Sequence, residues 1–378
     1  MQWSLVALLI LASWLPAALL AWLVLYPIRR SARRLGLLDR PGQRKVHTQP
    51  VPLGGGLGIW FAVMTTFALG TAAVGLCRSQ PSWAAMLPES IGGSLDEIWQ
   101  RAGELWGVLA GGTLLTLLGL IDDRRGLSAW FRLGTEILVA ALVVFGLDYS
   151  FTAFIPVPWL TKALSVLWIV ALINSFNMLD NMDGLSGGVA GIVAWMLAIV
   201  MLLTPDPDTG HPQLLVAGLL LVVAGSLCGF LWHNRPPAKI FMGDAGSYLV
   251  GYLVAVATLL ATYAGYQEQT RPHAVFAPLC VMAVPLYDMT TVLWIRIREG
   301  RSPFEGDKSH LSHRLVDLGL SKTQAVLTIY LMTATCGLAA VLLSFVTVTG
   351  AILVGGIVLC MLTLIVILES TGWRKDAP

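Results

Sequence analysis

Eleven stretches of this chain are apolar and about 17 to 25 residues long, at roughly 3–26, 53–76, 105–121, 130–147, 159–175, 188–204, 213–232, 247–265, 274–295, 323–347 and 351–369. A helix rises about 1.5 Å per residue, so runs of this length cross the hydrocarbon layer of a bilayer. Backbone N–H and C=O groups find no water there, which leaves only helices or a closed barrel as spanning structures. The runs are continuous, without the two-residue alternation of barrel strands, and so select helices. With 56% hydrophobic and 12% charged residues, the composition excludes an ordinary water-soluble domain. The expectation is an all-α, polytopic membrane protein of about eleven helices, forming a single domain over 1–378. The first run has no basic residues before it and no small-residue cleavage site, so it reads as a retained span rather than a signal peptide.

The loops give the orientation. Arg29, Arg30, Arg33, Arg34, Arg40, Arg44 and Lys45 fall in 27–52, and Arg296, Arg298, Arg301, Lys308, Arg314 and Lys322 in 296–322. Arg124, Arg125, Arg132, Arg235, Lys239, Arg374 and Lys375 join the same side, leaving only Arg78, Arg101, Lys162 and Arg271 on the other. By the positive-inside rule the N-terminus lies outside and the C-terminus in the cytoplasm. Once basic residues are read as topology signals, the net charge of +2 implies no nucleic-acid partner; the bilayer itself is the partner, and a homodimer stays open. The five cysteines (Cys77, Cys228, Cys280, Cys336 and Cys360) lack regular spacing and read as free, small hydrophobes.

Packing polar residues would be scattered over both faces. Instead the dense clusters fall in cytoplasmic loops or at the adjoining helix ends. They are Arg44-Lys-Val-His-Thr-Gln-Pro-Val-Pro-Leu-Gly-Gly-Gly56, Asp122-Asp-Arg-Arg-Gly126, Asn174 through Gly188, Asn234 through Ser247, and Gly306-Asp-Lys-Ser-His-Leu-Ser-His-Arg314. Five clusters on one face imply one site built from five loops. Hydrocarbon tolerates none of them unless they line a wet cavity or sit at the membrane edge.

Each cluster supports two readings. Asp122 and Asp123 repel each other unless solvated, paired with Arg124 and Arg125, or bound to a cation. Asp180 and Asp183 share a face if helical, with Asn177 before them. That spacing suits Mg2+, or Mn2+ in its place, which takes one or two carboxylates plus substrate phosphates; it also suits an Asx-turn capping the next helix. Asp244, between Gly243 and Gly246, opens a helix whose N–H groups can face an anion or a metal-bound diphosphate, with Ser247 as a natural N-cap. His310 and His313 can face one ligand or merely be solvated. Lys45 and His47 can reach a phosphate or serve as positive-inside charge. Asp288 lies inside a span and needs a role or a partner, for which Arg296 is the candidate. Glu136 reads as the i,i+4 partner of Arg132.

Taken together and in this order, these motifs resemble the polyprenyl-phosphate N-acetylhexosamine-1-phosphate transferases, over about residues 38 to 320. The resemblance rests on Asp39-Arg-Pro-Gly-Gln-Arg-Lys-Val-His-Thr-Gln-Pro-Val-Pro, Asp122-Asp123, NxxNxxDxxDGL at 174–185, Asn234 with Phe241-Met-Gly-Asp-Ala-Gly-Ser247, and Ser302-Pro-Phe with Asp307-Lys-Ser-His-Leu-Ser-His-Arg-Leu315. It implies Mg2+-dependent transfer of a sugar-1-phosphate from a UDP-sugar to undecaprenyl phosphate, releasing UMP, at the cytoplasmic face of the bacterial inner membrane. Pro50–Gly56 and the His-Leu-Ser-His loop resemble the branch that uses UDP-GlcNAc; the phospho-MurNAc-pentapeptide branch is the alternative. A cation-coupled transporter is the alternative from another class.

Residue by residue, the resemblance makes Asp244 the principal metal ligand with Asp183 beside it. Asp122, Asp123, Asp183, His310 and His313 become the catalytic set, and Lys45, His47, Asn177, Asp180, Asn234, Phe241 and Arg314 the substrate contacts. Two positions depart from the pattern. Asn181 stands where the motif usually has glycine, and Ser312 where His-x-His-His has its middle histidine.

Overall fold

The computed structural model describes residues 7–39, 50–87, 92, 95–151, 157–204, 213–264 and 272–373. Lys45 and His47 lie outside them. The helices are α1 (Leu15–Ser31, continuing a π-helical turn at Ile10–Trp14), α2 (Gly55–Ser79), α3 (Leu95–Arg125), α4 (Ala129–Gly146), α5 (Pro158–Leu179), α6 (Leu185–Leu203) and α7 (Leu214–Asn234). They continue with α8 (Gly243–Ala264), α9 (Ala277–Val281), α10 (Ala283–Arg298), α11 (Leu311–Asp317), α12 (Lys322–Leu343) and α13 (Val348–Trp373). A two-residue antiparallel ladder, β1 (Leu38–Asp39) with β2 (Val51–Pro52), pairs Leu38 with Pro52 and Asp39 with Val51.

The protein is an all-α, multi-pass membrane protein. Ten of the described helices are long and apolar enough to cross a bilayer. The eleventh expected span, 274–295, is instead a 3-10 turn at Pro272–Phe276 followed by α9 and α10, with the break at Met282. Pro285 explains the break: it offers no N–H to the Val281 carbonyl, and its ring crowds that carbonyl. All five cysteines are free.

α7 and α8 are the most enclosed helices. α7 packs between α1 and α6, and α8 between α3 and α5. Close approach at one end of α8 depends on two glycines. A Cβ on Gly56 of α2 would lie 2.2 Å from the Gly246 nitrogen, and one on Gly119 of α3 would lie 2.3 Å from the Ala245 nitrogen. Both obstacles are backbone and cannot yield, so the start of α8 is wedged between α2 and α3 at contact distance. The Gly55 and Gly56 N–H groups complete the junction by donating to the Phe241 and Met242 carbonyls, each at 2.9 Å.

Candidate active site

The start of α8 is the floor of a cavity of about 930 Å³. Gly243 has φ +72°, and a Cβ there would lie 2.6 Å from Asp123 Oδ2, so only glycine leaves room for that carboxylate. The Asp123 carboxylate accepts from the N–H groups of Asp244 (3.0 Å) and Ala245 (3.4 Å), capping α8 from the end of α3. The anion expected at this helix N-terminus is therefore, in part, a carboxylate of the protein itself. Asn177, at the end of α5, donates to Asp244 Oδ1 at 2.7 Å and to Ser247 Oγ at 3.1 Å. Ser247 lies within the first turns of α8 rather than capping it.

Asp180 follows directly on α5 and faces the same floor. Burial pushes its carboxyl up to about 7, reinforced by the charges of Asp123 and Asp183 and opposed by the Gly243 N–H. One wall thus gathers Asp123, Asp180 and Asp244, while Arg29, Lys239, Lys308 and Lys322 line other parts of the cavity, beside Asp39, Asp183, Asp307 and His313. Burial, the His310 ring and Lys308 hold the His313 imidazole below the ordinary histidine value, against the pull of Asp317 and Asp288. Burial alone would raise Asp307, but hydrogen bonds from Arg296, Ser309 and Arg301 hold it far below the usual carboxylate range.

Residues 105–262, spanning most of this wall, match the model of glycosyl transferase family 4. The chain is 31% identical, over 94% of its length and 90% of the relative's, to a Bacillus subtilis (strain 168) protein named "Probable undecaprenyl-phosphate N-acetylglucosaminyl 1-phosphate transferase". It is 35% identical to the decaprenyl-phosphate N-acetylglucosaminephosphotransferase of Mycobacterium leprae (strain TN), over 96% of this chain and 90% of the relative. With the undecaprenyl-phosphate alpha-N-acetylglucosaminyl 1-phosphate transferase of Escherichia coli (strain K12) it shares 31% identity, over 82% and 78%. The chain belongs to this family.

In this family 4 chain, Asp123, Asn177, Asp180, Asp183, Asn234, Phe241, Asp244 and His313 all line the one cavity. The structure separates Asp122 from Asp123. Successive helix residues point about 100° apart; Asp122 does not line the cavity but sits behind it, beside the Asp244 carboxyl, in a buried network. It accepts from the Leu127 N–H (2.6 Å), Arg132 (2.8 Å) and the Tyr248 hydroxyl (3.2 Å). Its ion-pair partner is Arg132, and Glu136 accepts a hydrogen bond from Asn174 at 2.5 Å while remaining within the influence of the Arg132 charge.

Two cavity residues are also structural ties. Asp183 accepts from the Ala238 N–H (2.9 Å), and the Asn234 amide joins the Gly184 N–H (2.9 Å) to the Ile240 carbonyl (2.8 Å). His310 and Arg314 do not line the cavity. The His310 ring lies 6.5 Å from that of His313, and its Nδ1 is 2.9 Å from Asp288 Oδ2, which makes His310 the partner of Asp288 in place of Arg296. Arg296 binds Asp307 at 3.2 Å and the Pro303 carbonyl at 2.6 Å. Arg314 pairs with Glu369 of α13 at 3.0 Å.

Sequence reasoning counted Arg29 and Lys239 only as topology charges. Arg29 lies near the end of α1, with NH1 3.2 Å from His233 Nδ1, while His233 Nε2 is 3.0 Å from the Trp22 carbonyl. A carbonyl requires a donor and a guanidinium an acceptor, so the ring is the neutral tautomer with hydrogen on Nε2. The signal available in the sequence was the position of Arg29, at the mouth of an apolar run.

Among the described residues no three His, Cys, Asp or Glu side chains stand together as a ready metal cage. The donor chemistry nonetheless suits a hard cation. Asp123, Asp180 and Asp244 are oxygen donors crowded enough to perturb one another, and Mg2+ is commonly held by one or two carboxylates with substrate phosphates completing the shell.

Proposed function

We propose that this protein transfers N-acetylglucosamine-1-phosphate from UDP-GlcNAc to undecaprenyl phosphate, releasing UMP, as the first membrane step in building a cell-envelope polysaccharide. One observation carries the reading. In a chain of this family, a single cavity joins an acidic wall at a helix N-terminus to a cationic rim of Arg29, Lys239, Lys308 and Lys322. A nucleotide diphosphate sugar needs both, and the volume suits a ligand of that size. The relatives named above carry the polyprenyl phosphate and the N-acetylglucosaminyl group in their names.

The cationic rim lies on the side richest in Lys and Arg, which supports a cytoplasmic site at the inner membrane. There the phosphate of a lipid acceptor reaches the cavity while its tail stays in the bilayer.

In the transfer, a lipid phosphate oxygen bonds to the sugar-bearing phosphorus, the bond between the two donor phosphates breaks, and UMP leaves with that bridging oxygen. A phosphate monoester with a second pKa near about 6 is already largely dianionic at neutral pH, so positioning outweighs deprotonation. Mg2+, held by Asp244 with Asp123 or Asp180, would supply charge neutralisation on the diphosphate. Arg29 and the rim lysines hold phosphate oxygens by charge-assisted hydrogen bonds. His313, largely neutral, accepts a hydrogen bond from the donor without adding charge. Phe241 offers an apolar face for the base.

The test is release of labelled UMP by purified protein in detergent, with UDP-GlcNAc, undecaprenyl phosphate and Mg2+, beside other UDP-sugars. Release that requires lipid and metal, stops with chelator and is lost in Asp244→Asn is the expected result. Folded wild-type protein that releases no UMP from any donor would overturn the proposal.

A further inference from the structure

The two positions that depart from the sequence pattern touch each other. The Ser312 hydroxyl donates to Asn181 Oδ1 at 2.5 Å, and Ser312 has 0% of its surface exposed. The Asn181 Nδ2 donates to the Met178 carbonyl at 2.9 Å. That second bond orients the amide, because a carbonyl demands the nitrogen; Oδ1 is left as the acceptor and Ser312 must be the donor. A glycine at 181 would have no acceptor to offer. A histidine at 312 would overfill a slot with no exposed surface.

The position of this bond in the fold gives it a role. The loop between α5 and α6 carries Asp180 and Asp183 and is anchored at its far end. Asp183 is tied to Ala238, and Gly184 to Asn234 and to the Tyr330 hydroxyl. α11, which brings His313 to the cavity, is anchored elsewhere, through Leu311 to Asp288 and through Arg314 to Glu369. Among the described residues, Ser312–Asn181 is the hydrogen bond that joins this loop to α11. Asn181 itself lines the cavity, between the two carboxylates.

We propose that Asn181 and Ser312 form a positioning pair that fixes the Asp180–Asp183 loop against His313 and thereby seats the diphosphate of the donor. The proposal rests on the transferase reading above. Neither residue reacts. Their bond sets the spacing between a carboxylate wall and an imidazole that must engage one ligand together, and a small misplacement of such groups lowers binding or rate sharply.

The experiment is a double-mutant cycle of Asn181→Ala, Ser312→Ala and the pair, read in two ways. In kinetics, each single variant raises the KM for UDP-GlcNAc about fivefold, the ordinary worth of one hydrogen bond. The double variant is no worse than the poorer single, since both remove the same bond. The KM for undecaprenyl phosphate stays near wild type, as does the melting temperature of Ser312→Ala, which leaves the freed Asn181 oxygen at the cavity. In hydrogen–deuterium exchange, which needs no turnover, amides of 180–184 exchange faster in Ser312→Ala, while those of α12 do not change. Additive single effects, an unchanged donor KM, or equal rises for donor and lipid would each overturn the proposal. So would an unchanged exchange rate in 180–184. If wild-type protein released no UMP, the transferase reading would fall by itself, and the exchange data would still decide whether the bond holds the loop to α11.

Discussion

Asp288 is buried at 1% exposure and accepts two hydrogen bonds, one from His310 Nδ1 at 2.9 Å and one from the Leu311 N–H at 2.6 Å. Leu311 opens α11, so its N–H has no partner within the helix. Replacing Asp288 with Asn keeps the shape and removes one acceptor. The Leu311 N–H is a fixed donor and retains the Asn oxygen, which leaves the Asn NH2 facing His310 Nδ1. The imidazole can accept from it only by carrying its proton on Nε2, turning the nitrogen that points away from Asp288 from acceptor to donor. Both bonds survive in altered form, and exchanging a carboxylate acceptor for a neutral amide costs about 1–1.5 kcal/mol. Asp288 and His310 do not line the cavity, so the cost falls on the fold: Asp288→Asn unfolds about five- to tenfold more readily, while UMP release per folded molecule stays within a few-fold of wild type. Denaturant melts measure the loss, and 15N shifts of the His310 ring show which nitrogen carries the proton. A wild-type unfolding midpoint, with the tautomer switched, would refute the reasoning.

Three more outcomes are expected. Gly56→Ala places a methyl 2.2 Å from the Gly246 nitrogen and should destabilise the fold by about 3 kcal/mol, the upper end of overpacking; a wild-type melting temperature would contradict the wedge at α8. Asp180 holds its proton up to about 7 against an ordinary 3.8, so its contribution to apo-protein stability is fully present below about 3.8 and lost as pH rises through about 7. Thermal midpoints of metal-free protein should therefore fall over that window and recover at pH 7.5 when Mg2+ is added. Arg29→Ala should raise the KM of a phosphate-bearing substrate by about tenfold or more, the worth of a charge-assisted hydrogen bond, and separate titrations of UDP-GlcNAc and lipid phosphate will show which substrate it serves.

Much of the architecture was legible in the chain because the bilayer imposes a one-dimensional rule. Length and hydrophobicity identify spans regardless of what packs beside them; among the described residues the expected continuous run is broken at 274–295, where Pro285 interrupts it from within. Eight of the proposed site residues meet in one cavity for a related reason: polar residues clustered at helix ends have few other places to go. The pairings fared worse. Arg132 was assigned to Glu136 and Arg296 to Asp288 because each lay within two turns along the sequence. The structure pairs Arg132 with Asp122 and Asp288 with His310, 10 and 22 residues apart. Helical periodicity ranks only neighbours on the same helix, and these partners arrive from other elements.

Read along the chain alone, the residues establish a helical membrane protein with polar clusters at its helix ends, and its family. The cost of placing polar groups in hydrocarbon is a property of each segment alone. Helix packing, and not any local pattern, puts Asp123 at the cavity and buries Asp122 against Arg132 and Tyr248, caps α8 with a carboxylate from α3, and brings Asn181 to Ser312. Those outcomes depend on contacts between segments far apart in sequence, and at the start of α8 on Gly56 and Gly119, whose missing side chains allow backbones to touch.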